Sequence, residues 1–503
     1  MNQLKAGAFL SYVVIAVNIL IGLVYTPYML RMLGQAEYGI YSLAASVIAY
    51  LTVLDLGFGN AIVRYTAKFI AEGKREEQYK MFGMFLKLYT GIGAIALLIG
   101  LGLYFNVDRM FSDTMNSEQL DTMRMIMMLM SFNLAVTFPL SIFGSIITAY
   151  ENFVFQKVVN IVRILLNPLV MVVLLALGYK AVAMVVVTTL FNLATLSINA
   201  FYCFNKLKIR FTFGSFDTKF LKEVSIYSLW IFLNAIMDRI YWSTGQFILG
   251  IYRGAESVAI YAVAIQLKTM FFMFSTAISG VFLPKVTAMI TKGCSNEQMS
   301  DLFIRTGRIQ YAVMSLILSG FIIFGTPFIR LWAGEGYDEA YTITLLLFIP
   351  SLIPLIQNLG ITILQAQNRM KFRSVLYLVI SVSSVFLAIP LAQMYGGIGC
   401  AIATSAALTL GQGIVMNIYY QRNIKINIIR FWGEIIKMSI VPAIVVLLSH
   451  FAMEYYFTVD SFYSLLGLIA LFGVVYLIPF WLLSLNKSER DLVLVPLKKI
   501  GKK

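Results

Sequence analysis

Charge is scarce in this sequence of 503 residues: Asp, Glu, Lys and Arg make up 13% of it, where a soluble domain carries about a quarter. Histidine occurs once, as His450, and cysteine three times, as Cys203, Cys294 and Cys400. These residues lie too far apart for metal-ligand or redox spacing, so we read them as packed side chains and expect no metal site. A G-x-x-x-x-G-K-[ST] loop is also missing, which leaves the chain without a nucleotide motor of its own, and no cofactor is expected. The glycine-rich stretch "DLGFGN" (55–60) lies within an apolar run, not between a strand and a helix, and reads as close helix packing. The most polar stretches, around 106–119, 206–220 and the C-terminal tail, are too short for an independent core, so an enzyme with a soluble catalytic domain is not expected.

What the sequence has in quantity is hydrophobicity, at 60% of all residues. Apolar runs of roughly 20 residues recur from end to end, each enough to cross a hydrocarbon core about 30 Å thick. Such runs suit helices, not barrel strands. The first continues from about Ala8 to Leu30 without a small-residue cleavage site and reads as a retained span. The expected fold class is an all-α polytopic membrane protein with about fourteen transmembrane helices. Among them we place runs at 38–70, 156–177, 221–249, 256–290, 372–394, 397–421, 433–456 and 462–485.

The net charge of +15 is distributed unevenly. Alternate loops, holding Lys74 and Arg75, Lys157, Lys206 to Arg210, Lys292, Arg369 to Arg373, Arg422 to Lys425 and the tail from Lys487, are basic, whereas the opposite loops include the acidic "AGEGYDEAY". The positive-inside rule then puts both termini in the cytoplasm. The basic face meets anionic lipid, so nucleic acid is not the expected partner.

The sequence repeats itself. "AEYGIYSLA" (36–44) recurs as "AESVAIYAVA" (255–264), and "AKFIAEG" (67–73) falls on "TAMITKG" (287–293), both at an offset of 220. "AYENFVF" (149–155) falls on "AQNRMKF" (366–372), and Lys208-Ile209 on Lys425-Ile426, at an offset of 217. A nearly constant offset implies two six-helix halves, 1–210 and 211–428, followed by two helices within 429–486 and a basic cytoplasmic tail, 487–503. Six spans per half make the repeats parallel, an arrangement that places a substrate path near the bilayer midplane.

Five charges fall within helices away from loops: Asp55, Arg64, Asp238, Arg239 and Lys268. Arg64 can snorkel from its helix end. The other four, each costing about 2.5–3.5 kcal/mol at a helix centre, must face protein or water. Helical spacing puts Asn234, Asp238, Tyr241 and Gly245 on one stripe, with Arg239, Trp242 and Gln246 about 100° away. Tyr261, Lys268, Ser275 and Ser279 share a face, as do Ser11, Asn18, Gly22 and Tyr25. Asn18 lies 220 residues before Asp238. Two readings stand. One pairs Asp238 with Lys268, and Asp55 with Arg239 or Arg64. The other is a cation-lined cavity in which Arg239 and Lys268 reach an anion, with Asn18, Asn234 and Tyr261 as polar lining.

Residues 26–69, "TPYMLRMLGQAEYGIYSLAASVIAYLTVLDLGFGNAIVRYTAKF", resemble the N-terminal signature of the polysaccharide transporter family, and "ILGIYRGAESVAIYAVA" (248–264) resembles its counterpart in the second half. That family comprises O-antigen and exopolysaccharide flippases of the multidrug/oligosaccharidyl-lipid/polysaccharide exporter superfamily. The resemblance implies movement of an undecaprenyl-diphosphate-linked oligosaccharide across the bacterial cytoplasmic membrane by alternating access. Its partners would be that lipid-linked substrate, membrane lipids and a polysaccharide polymerase. It points to Arg239, Lys268 and Arg64 as substrate-binding cations. If transport is coupled to protons or sodium, Asp55 and Asp238 are the candidate carboxylates, since burial can raise a carboxyl group's pKa toward neutrality. Related lipid II flippases carry arginines in their first helix, where this chain has only Asn18. The alternative within the superfamily is a drug or cation antiporter.

Overall fold

Backbone amides out of reach of water must bond within their own segment, and the apolar runs meet that demand as helices. The computed structural model describes residues 3–214, 218–279, 286, 288–290, 293–367, 369–457, 459, 461–491 and 494. Among these there is no strand. Lys292, most of the basic tail and part of the run read at 256–290 lie outside the described residues.

The helices are α1 (Gln3–Leu33), α2 (Gln35–Leu51), α3 (Phe58–Glu72), α4 (Arg75–Phe111), α5 (Ser117–Ala149), α6 (Phe153–Ala176), α7 (Ala181–Asn205), α8 (Thr218–Tyr252), α9 (Ala255–Ser279), α10 (Asn296–Ala333), α11 (Glu339–Ile356), α12 (Leu359–Ala366), α13 (Met370–Leu408), α14 (Ile428–Tyr456) and α15 (Phe462–Pro479). Twelve described helices are long and apolar enough to cross a membrane. One of them, Met370–Ile424, reverses at Gly396 (φ 57°), where a Cβ on Gly399 would come within 1.9 Å of the Leu391 carbonyl oxygen. It thus contains the two spans read at 372–394 and 397–421. Helix α8, outside the twelve, covers the run at 221–249. The chain is an all-α polytopic membrane protein.

The run at 38–70 is not one uninterrupted helix. After α2 comes a single 3-10 turn, Thr52–Asp55, and then Leu56 and Gly57 are both left-handed (φ 53° and 75°) before α3 begins. A left-handed residue ends a helix by turning its amide out of the ladder, and glycine adopts that conformation without strain. Gly57 of "DLGFGN" therefore serves a turn, while Gly59 lies within α3, where a Cβ would meet Ser145 Oγ at an ordinary 3.5 Å, so neither marks close helix packing.

Recurring sequence carries recurring geometry. Gly34 and Gly254 precede α2 and α9 with φ of 76° and 84°, each accepting from an amide four residues on, Tyr38 at 3.2 Å and Val258 at 3.3 Å. Gly73, at the end of α3, and Gly293 have φ of 71° and 72°, and their amides donate to the carbonyls of Ile70 and Ile290. At the second offset, Phe155 stacks on Tyr202 (centroids 3.8 Å) as Phe372 stacks on Tyr419 (4.0 Å). Lys208 and Lys425 are both left-handed (φ 49° and 64°).

By packing, the chain divides into two compact units. One holds the residues up to Ala262 together with Tyr377–Cys400; the other holds Val263–Leu376 and the residues from Ala401 onward. The first is built around Phe58, Phe82, Phe85, Tyr89, Phe138 and Phe143, the second around Phe303, Tyr420, Phe431, Phe472 and Tyr476. Within the first unit, α2 and the start of α9 approach so closely that a Cβ on Gly39 would lie 1.8 Å from the Ala255 carbonyl oxygen.

Candidate site of charged and polar residues within the membrane helices

Asp55 ends the 3-10 turn, half-buried, and accepts a hydrogen bond from Tyr89 Oη at 2.7 Å. No ion pair joins it to Arg64 or Arg239 among the described residues. The break in the helix explains its type: a carboxylate beside the free amides at the start of α3 is favoured both as an acceptor and by the helix dipole. Arg64, two turns into α3, is exposed, and its guanidinium stands 5.8 Å from the centroid of the Tyr65 ring. Tyr65 donates in turn to Glu223 at 2.8 Å.

In α8 the two predicted stripes separate. Asp238 accepts from Tyr377 Oη of α13 at 2.8 Å, and Tyr241 on the same stripe packs against Tyr377 at 5.8 Å between centroids. Further along, Gly245 leaves room for Tyr261: a Cβ there would lie 2.9 Å from the phenol oxygen. Asp238, Tyr241, Gly245, Tyr261 and Tyr377 thus form one polar and aromatic seam within the first unit. Asn234, a turn earlier, is half-buried. Arg239 is exposed and makes no ion pair among the described residues.

Lys268 belongs to the second unit, so the expected pair with Asp238 would join residues of different units. It is 6% exposed, and its Nζ stands 4.5 Å from the centroid of Phe272, one turn along α9. Asn18 is half-buried in α1 and donates to the Val14 carbonyl at 2.9 Å.

Arg163 and Arg308 are further cations held within helices. Arg163 is half-buried near the middle of α6, where its Nη2 donates to Asn160 Oδ1 at 3.2 Å. The sequence does carry a signal, because Gln156, Asn160, Arg163 and Asn167 recur at spacings of 4, 3 and 4 in an otherwise apolar span. Arg308, inside α10, is 5% exposed and bonded to Glu489 and Glu434. Its sequence signal is Glu434, an acidic residue in an otherwise basic and apolar segment.

Comparison with known proteins follows the same lines. The profile of a family described as "Polysaccharide biosynthesis protein" matches residues 4–290. An uncharacterised membrane protein of Bacillus subtilis (strain 168), EpsK, is 24% identical over 485 residues, covering 94% of each chain. A Shigella flexneri protein provisionally named as an O-antigen transporter is 23% identical over 421 residues, covering 80% of this chain and 94% of its own. Among solved structures, the lipid II flippase MurJ in an inward closed conformation matches with a TM-score of 0.73 at 18% identity, covering 97% of this chain and 99% of that one.

Proposed function

We propose that this chain, which belongs to the polysaccharide biosynthesis protein family, moves a lipid-linked oligosaccharide from the inner to the outer leaflet of the bacterial cytoplasmic membrane by alternating access. Family membership is the observation that carries this reading. The name of the Shigella relative adds the O-antigen class of cargo, and the fold is shared with a lipid II flippase.

The cargo would be an undecaprenyl-diphosphate-linked glycan. Its diphosphate would be met by Lys268 and Arg239, with Arg64 near the membrane surface, while Asn18, Asn234 and Tyr261 would meet sugar hydroxyls. The halves 1–210 and 211–428 would rock about this path, with both termini in the cytoplasm. Moving about two negative charges outward gains roughly 4–5 kcal/mol per 100 mV of inside-negative potential. A coupling ion is thus not required; Asp55 and Asp238 are the carboxylates that would carry one.

The test is leaflet exchange of a fluorescent lipid-linked oligosaccharide in proteoliposomes. Wild type should exchange it, and Lys268→Ala should slow exchange about tenfold or more, the effect of losing a charge-assisted hydrogen bond of roughly 1.5–3 kcal/mol. A folded, monodisperse wild type that exchanges no such lipid would remove the proposal. An antiporter would show the opposite weighting, with Asp55→Asn or Asp238→Asn abolishing transport and Lys268→Ala tolerated.

A further inference from the structure

We propose that the seam between α1 and α6, inside the first unit, binds a phosphate or diphosphate group, with Arg163 as its cation. Val158, Leu165 and Leu169 of α6 are 45%, 44% and 61% exposed and mark the outward face of that helix. Asn160, Arg163 and Asn167 lie on the opposite side. In α1 the outward face is marked by Phe9, Leu20 and Val24, at 68%, 61% and 73% exposure, and Asn18 and Tyr25 lie opposite. Both polar stripes therefore point into the bundle.

The two helices run parallel in a fixed register. Val154 N donates to Gln3 Oε1 at 3.3 Å near one end, and Tyr28 Oη donates to the Val172 carbonyl at 3.1 Å near the other. Interpolating from the contact that a Cβ on Gly7 would make with Phe153 Cβ, at 2.7 Å, to the Tyr28–Val172 bond puts Asn18 level with Arg163 and within a turn of Asn160, and Tyr25 within a turn of Asn167.

The internal repeat supplies an independent check. The offset of 220 takes Asn18 to Asp238, and the offset of 217 takes Asn160 to Tyr377. Those two counterparts meet at 2.8 Å. The α1–α6 seam is thus the first-half version of the Asp238–Tyr377 seam, with its charge reversed: Asn18 stands where the other has a carboxylate, and Arg163 stands where the other has Ile380.

Arg163 has five N–H donors. Among the described residues its side-chain partner is Asn160, and no carboxylate lies within 4.0 Å. Nearby, Tyr25 Oη and Asn167 Oδ1 are buried without a hydrogen-bond partner. A guanidinium at the centre of a membrane span needs a counter-charge. The planar fork, a phenol O–H and an amide that can turn its NH2 inward together make a donor set for a tetrahedral oxyanion. The class of anion follows from these residues. Its identification with the cargo's own diphosphate rests on the flippase reading above.

The experiment measures binding to full-length protein in nanodiscs, using inorganic pyrophosphate, a polyprenyl diphosphate and the corresponding uncharged polyprenol. Arg163→Gln should weaken binding of the diphosphates by about tenfold or more, and Arg163→Lys by less, because an ammonium keeps the charge without the fork. Polyprenol binding should not change. Equal diphosphate affinity in wild type and Arg163→Gln would overturn the site, as would an equal loss of polyprenol binding. If Arg163→Gln does not fold, Tyr25→Phe takes its place, with an expected loss of about threefold to tenfold. Arg163-dependent binding of pyrophosphate as well as lipid assigns the site to the anion itself; dependence seen with the lipid alone assigns it to the headgroup. Arg163-dependent binding in a preparation that flips no lipid leaves this site standing and removes the flippase reading. Flipping with Arg163-independent binding does the reverse.

Discussion

Arg308 is held from three sides: Nε and Nη2 bond to the two oxygens of Glu489 at 2.6 and 2.9 Å, Nη1 to Glu434 at 2.8 Å, and Nη2 also to the Ser484 carbonyl at 3.0 Å. Glu489 is itself steadied by the Asn486 amide at 2.9 Å. Removing one member strands the other in a dry site, so Arg308→Met should destabilise the protein by about 3–5 kcal/mol. Arg308→Met combined with Glu489→Leu should recover much of that, read as thermal unfolding in detergent; a double variant as unstable as the single one would refute the pairing account. Residues 238, 239 and 268 were legible as intramembrane charges because apolar neighbours extend far on both sides. Arg163 and Arg308 were not. Each lies a few turns from a polar loop, where a long side chain can snorkel, and only the packing shows Arg163 half-buried in its span and Arg308 buried against Glu489 and Glu434.

Among the helices, the closest approach is the contact of α2 with the start of α9. Gly39→Ala places a methyl 1.8 Å from a backbone oxygen that cannot swing aside as a side chain would. We expect a loss of at least about 1–3 kcal/mol, the usual cost of overpacking, seen as a lowered unfolding temperature and poor yield. Several helix ends carry local sequence signals that the reading of apolar runs does not use. Asn116–Gln119 and Ser295–Gln298 form reciprocal capping boxes at the starts of α5 and α10, and glycine closes α3. The break at 52–57 was not readable. Asp55 and Gly57 interrupt an otherwise apolar run that continues on both sides, and the left-handed dihedral at Leu56 leaves no mark on composition.

For the whole molecule, two predictions follow from charge. An inside-negative potential should drive a diphosphate-linked lipid toward the outer leaflet, by up to roughly 4–5 kcal/mol per 100 mV at equilibrium, and leave an uncharged analogue unmoved. Imposed potassium potentials with valinomycin check this; equal response of both lipids would refute it. The asymmetry of basic loops predicts orientation. On a cysteine-free background, Glu335→Cys, in an exposed loop, should react with an impermeant maleimide in intact cells. Asn423→Cys, also exposed, should react only after permeabilisation; labelling in the reverse order would invert the topology.

The sequence by itself determined the environment, the helical class, the spans and the positions of the repeat, because each depends on hydrophobicity and short-range backbone chemistry that neighbouring residues settle alone. The tertiary structure decided which charges meet which partners: Asp55 with Tyr89, Asp238 with Tyr377, and Arg308 with Glu489 across 181 residues of chain. Helical spacing gives the direction of a side chain on its own helix. What stands opposite depends on how the helices pack, and that is fixed by the fit of many side chains at once.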